Sequence, residues 1–93
     1  MNQTEQAALE RLIRISQSNT GQSRRVASFL LAWWSATSCG GFDLTDLWAV
    51  DAAIAADMVT VFGLIANNQN YPDVLGYADE FKPILQVWRP ELL

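Results

Sequence analysis

The stretch from Gln22 to Ser38 constrains this chain more than any other part of its sequence. With residues set about 100° apart on a helix, Val26, Phe29, Leu30, Leu31, Trp33 and Trp34 do not fit one stripe. Together with Ala27, Thr37 and Ser38 they sweep an arc of roughly 200°. An ordinary surface helix shows an apolar stripe of about 100°. The remaining face carries Ser28, Ala32, Ser35 and Ala36, all small. A helix of this kind either lies at the centre of a bundle or shows aromatic surface to a partner.

The rest of the chain is read around that helix. A first helix is expected over 4–17, with Leu9, Leu12, Ile13 and Ser16 at helical spacing and Ala8 and Ile15 at the edge. Glu10 and Arg14 stand in the favoured i,i+4 order for a pair. Ser18 to Gly21 reads as a break, the second helix covers 22–38, and Cys39-Gly40-Gly41 ends it. A third helical pattern runs over 43–66, with room for a break near 49–51. Asp43 is its expected N-cap, and Asp51 is a candidate cap for a second segment. Val50, Ile54, Met58, Val61, Phe62, Leu64 and Ile65 are expected on its inner side. Ala52, Ala56, Val59 and Gly63 are expected on the other. A loop follows from Tyr71 to Tyr77, then a last helix over 79–88. Pro83 suggests that the regular part of this helix begins late. No β-alternation, internal repeat or low-complexity segment is present. The expected fold is all-α, a compact bundle of four to five helices in one domain, 1–93.

Composition excludes several chemistries. The chain has no histidine and one cysteine. Serine-triad and cysteine-dyad arrangements, thiolate zinc sites and an internal disulfide are therefore ruled out. No glycine pattern that cradles phosphate occurs. Asp46 and Asp51 point about 140° apart on a continuous helix and match no calcium loop. The expectation is a protein that is not an enzyme, with no metal and no cofactor. The longest apolar run, Val26 to Trp34, is far shorter than the ~20 residues of a membrane span. The polar N-terminus does not resemble a signal peptide, so a cytoplasmic setting is expected.

Charge is uneven. Arg11, Arg14, Arg24 and Arg25 crowd the first 25 residues. From Phe42 to Glu80 the only charges are Asp43, Asp46, Asp51, Asp57, Asp73, Asp79 and Glu80. Direct nucleic-acid binding needs clustered bases and is not expected, whereas attraction to a basic protein surface is. Charged residues make up only 17% of the chain, against roughly 25% in a typical domain, which also favours a partner.

The wheel sets Asp57 inside the apolar arc, where a carboxylate needs a partner. Arg11, Arg14, Arg25 and Arg89 are the candidate cations for a structural pair, and an acid poised at a partner interface is the alternative. Cys39 is expected to act as a small buried hydrophobe. Trp33 and Trp34 point about 100° apart and so touch different bodies. With Trp33 on the core, Trp34 and Leu31 are expected to face a neighbour, with Arg24 as a second anchor. The expected partner-binding residues are thus Arg24, Leu31, Trp34, Asp43, Asp46, Asp51 and Asp57.

Four motifs carry a resemblance: GQSRRVASFLLAWW from Gly21, CGGFDLTDLW from Cys39, YPDVLGY from Tyr71 and WRPEL from Trp88. They resemble a family of small proteins of unknown function carried on integrative conjugative elements and plasmids of Pseudomonas and related proteobacteria. The likeness covers nearly the whole chain. It implies a bacterial cytoplasm and a gene that travels with accessory cargo, and it assigns no reaction and no functional residue. Cargo of this kind suggests an inhibitor that binds a host defence complex, as an anti-CRISPR binds a CRISPR effector subunit. The competing expectation is a structural or regulatory accessory of the element, a homodimer meeting through the second helix. A small-ligand binder is the weakest of the three, because few polar residues fall on the inner faces.

Overall fold

The computed structural model describes residues 1–93. It has four α-helices: α1 Gln3–Ser16, α2 Gly21–Cys39, α3 Ala52–Asn67 and α4 Ala78–Trp88. Short 3-10 helices occupy Leu44–Ala49 and Pro90–Leu92. The all-α bundle read from the sequence is the fold. One apolar core joins residues of all four helices, including Leu9, Leu12, Val26, Leu30, Met58, Val61, Leu64, Phe81 and Ile84.

Each boundary has a local cause. Asn2 caps α1, accepting from the Glu5 amide at 2.7 Å, while the Glu5 carboxylate accepts from the Asn2 amide at 2.9 Å. This reciprocal box satisfies two amides that a helix start leaves without partners. The buried residues of α1 are Ala8, Leu9, Leu12, Ile13 and Ser16, the stripe its periodicity predicts. Thr20 caps α2, accepting from the Ser23 amide at 3.0 Å.

α2 is not continuous. Ser35 is extended (φ −168°, ψ 94°) inside it, and its hydroxyl accepts from the Ser38 amide at 3.4 Å. Ser35 thus acts as an internal N-cap, and the last turn restarts after it. Gly40 then takes φ 94°, a conformation open to glycine at little cost, and releases the chain.

The expected break near 49–51 is present. Its first segment is a 3-10 turn and not α-helix: Asp43 accepts from the Thr45 amide at 2.9 Å, and three residues per turn are all the short segment needs. Asp51 occupies the N-cap position of α3, yet its side chain makes no cap bond. It turns instead to Gln22 of α2: the Asp51 amide donates to Gln22 Oε1 at 2.6 Å, and Gln22 Nε2 donates to the carboxylate at 3.4 Å.

α4 begins at Ala78, so Pro83 does not delay it. Proline lacks the amide that would bond the Asp79 carbonyl, and Asp79 is exposed, so water can serve that group. The expected Glu10–Arg14 pair does not form. Glu10 instead accepts from the phenol of the buried Tyr77 at 3.2 Å and from Gln6 at 3.0 Å.

Candidate functional site

After Gly40 the chain runs back along α2 as a strap. Phe42 meets Phe29 edge-on with ring centres 5.3 Å apart, Asp46 pairs with Arg25 at 3.6 Å, and Asp51 bonds Gln22. Ascending positions on the strap meet descending positions on α2, so the two are antiparallel. The three anchors on α2 are spaced i, i+3 and i+7, one face of the helix. The Nε of Arg25 is buried and makes no hydrogen bond, so Asp46 meets it through charge alone.

Strap and α3 do not close on each other. Between them lies an apolar groove with a cavity of about 200 Å³ lined by Phe29, Phe42, Leu44, Leu47, Met58, Val59 and Phe62. A second hollow continues it past Ala32 and Trp33 to Ile65. The floor residues Phe29 and Met58 are buried. The walls are not: Leu44 is 66% exposed, Val59 61% and Phe62 59%. Trp48, next in the chain to Leu47, is 85% exposed. Single exposed apolar residues are ordinary, but here several of them border one groove, which sets this face apart from the rest of the surface.

The roomiest cavity lies elsewhere, about 460 Å³ in the bend of α2 at Ser35, with Trp34, Thr37, Tyr71 and Asp73 around it. Asp73 is the only carboxylate there, so the cleft holds no acid–base pair. No group of three cysteine, aspartate or glutamate side chains converges to hold a metal ion. No helix is long and apolar enough to cross a membrane.

The seven residues expected at a partner interface do not form one site. Leu31 is 1% exposed, a correction to the expected interface. α2 packs on α1, α4 and α3, and its wide arc supplies apolar surface for more than one of these neighbours. Trp33 and Trp34 do not touch different bodies: both rings pack on Phe81 of α4, Trp33 edge-on at 6.1 Å and 83° and Trp34 stacked at 5.5 Å and 21°, which leaves Trp34 half-buried. Arg24 is exposed and makes no ion pair. It lies ten residues from Trp34, about 15 Å along the helix, so the two do not share a centre.

The four acids fare differently. Asp57 forms the structural pair, receiving Arg11 Nε at 2.8 Å and Nη2 at 2.9 Å. That two-point contact, first through its hydrogen bonds and then through charge, pushes the Arg11 pKa up. Asp46 is committed to Arg25 and Asp51 to Gln22. Asp43 is exposed, and the hydroxyl and then the amide of Thr45 hold its carboxyl below the usual range.

Cys39 is buried as expected, and burial pushes its thiol pKa up, against a smaller opposing effect of Arg89. The groove walls were missed. Phe62 is assigned inward by its spacing, yet it is among the most exposed aromatics. The arc from Leu64 round to Val59 on α3 spans roughly 220°, the same signal of excess apolar surface that α2 shows. On α2 neighbouring helices absorb that excess, whereas on α3 it is left in the groove.

No curated protein and no solved structure matches the chain. A family model does, from residue 6 to residue 89. By that match over nearly its whole length, the chain belongs to a family of unknown function, DUF7673.

Proposed function

We propose that the protein acts by binding another protein through the groove between strap and α3, and not by catalysis. The observation that carries this is the wall of half-exposed apolar side chains, Leu44, Val59 and Phe62, over a cavity lined only by hydrophobic residues. Burying such a surface is worth about 25 cal/mol per Å², so its exposure costs a lone chain stability that a partner would return.

In its concrete form the function is that of an inhibitor encoded on a mobile element and directed at a host defence complex, in the manner of an anti-CRISPR. Support comes from the resemblance to proteins of conjugative elements and plasmids and from the acidic balance of the chain. Subunits that hold nucleic acid present basic surfaces, and an acidic face complements them. The second reading, a homodimeric accessory, is favoured by Trp48, an 85% exposed side chain that follows Leu47 of the groove lining in the chain.

The test uses a bacterial host that restricts a phage through its CRISPR system. Expression of the wild-type protein should restore plaques and co-purify an effector subunit, and Val59→Ser/Phe62→Ser should lose both. Unchanged restriction with the wild type defeats the inhibitor. Light scattering that shows a dimer dispersed by the same double substitution supports the accessory instead.

A further inference from the structure

The charges around the groove specify its occupant. The strap and α3 carry Asp43, Asp46, Asp51 and Asp57 and no lysine or arginine. Two of these are already matched, Asp46 by Arg25 and Asp57 by Arg11. Asp43 and Asp51 are exposed and meet no cation; their contacts are Thr45 and Gln22, both neutral. Asp43 stands in the chain between Phe42 and Leu44 of the groove lining, and Asp51 ends the strap where α3 begins, so an apolar groove is bordered by a strap that carries acids and no base.

A second copy of the chain fits this poorly. A two-fold contact sets a patch against itself, so acids would face acids with no base on residues 42–67 to answer them. A single helix places one stripe of i, i+3/i+4 anchors in a groove and sets its polar flanks against the margins.

We propose that the groove docks a cationic amphipathic helix of a partner protein, its apolar stripe on Leu44, Val59 and Phe62 and its lysines or arginines against Asp43 and Asp51. This rests on the protein-binding function above and adds the chemistry of the partner.

Two synthetic helical peptides of about 18 residues test it, five turns each. Both carry the same leucine stripe, one with lysine on the polar face and one with glutamate. Each is titrated into the isotope-labelled full chain in about 100 mM salt and followed by amide NMR. The lysine peptide should bind at least about tenfold tighter, with shifts confined to residues 42–51 and 58–65. Val59→Ser/Phe62→Ser, which leaves every charge in place, should abolish that binding. Asp43→Lys/Asp51→Lys should reverse the preference; Asp43→Asn/Asp51→Asn, closer to the native shape, should erase it.

Equal binding of both peptides, lost in the double serine variant, would overturn the cationic partner and leave the groove as a protein-binding site. Lysine-peptide shifts spread over Asp73, Asp79 and Glu80 and indifferent to the serine variant would mean general charge attraction and overturn the proposal. Failure of both peptides to bind at millimolar concentration would overturn helix docking, while the phage assay decides the broader function separately.

Discussion

The two faces of α3 are nearly equal in apolar character and opposite in fate. On one, Met58, Val61 and Leu64 are 1%, 0% and 0% exposed. On the other, Val59 and Phe62 stand about 60% in water. Side-chain chemistry does not separate them. The inner face is covered along its length by α1, whereas the outer face meets only the edge of a strap clipped to α2 at Gln22, Arg25 and Phe29. Coverage, and not hydrophobicity, makes one face core and leaves the other in water.

That contrast is open to attack by mutation. The largest effect is expected at Leu64→Ala, which should cost about 2–5 kcal/mol in urea unfolding because it opens a cavity in a dry core. Phe62→Ala removes a larger group and should cost under about 0.5 kcal/mol. Similar losses at the two positions would show that the outer face is packed in solution. Trp88→Phe comes next. It deletes the bond from the indole to the Ser16 carbonyl at 2.6 Å, which ties the end of α4 to the end of α1. A loss of about 1 kcal/mol is expected, and no change would mean the tie is idle.

Asp57→Asn probes the polar margin of the inner face. It breaks the two-point contact with Arg11, but the Arg11 side chain is 48% exposed. The melting temperature should therefore fall by less than in Trp88→Phe, and the difference should shrink at high salt. Unaltered stability at low salt would remove the structural role of this acid.

The smallest effect is a pH dependence. Burial first, and then the bond to Glu10, push the Tyr77 phenol above its ordinary value of 10.0. The folded state thus holds this proton more tightly than the unfolded chain does. The stability it contributes is complete below pH 10.0 and is lost as pH rises through the higher folded value. Tyr77→Phe should remove that part of the alkaline decline in unfolding midpoints. An unchanged decline would mean that Tyr77 ionises as freely folded as unfolded.

Much of the bundle is legible in the sequence. α1 buries the residues its spacing selects, the break before α3 falls where Asp51 marks it, and Cys39-Gly40 ends α2. These are local matters: periodicity, capping groups and glycine act within a turn or two of chain. The kink at Ser35 had no distinct signal, since Ser28 stands in the same helix without one. The candidate site was less legible. Leu31 ends the arc of α2 and Phe62 lies inside the arc of α3, yet Leu31 is buried and Phe62 exposed, the reverse of what their spacing assigns. Nothing within either helix distinguishes them.

What the sequence determined by itself is the set of helices, their apolar arcs, the absence of histidine chemistry and the acidic run from Phe42 to Glu80. Only the tertiary structure decided that Leu31 is buried, that Arg11 takes Asp57 and that Phe62 stays in water. The physical reason is one of range. A helical wheel fixes the angles between side chains of a single helix. Which arc loses its water depends on where other helices lie, and that is settled by packing between residues distant in the chain.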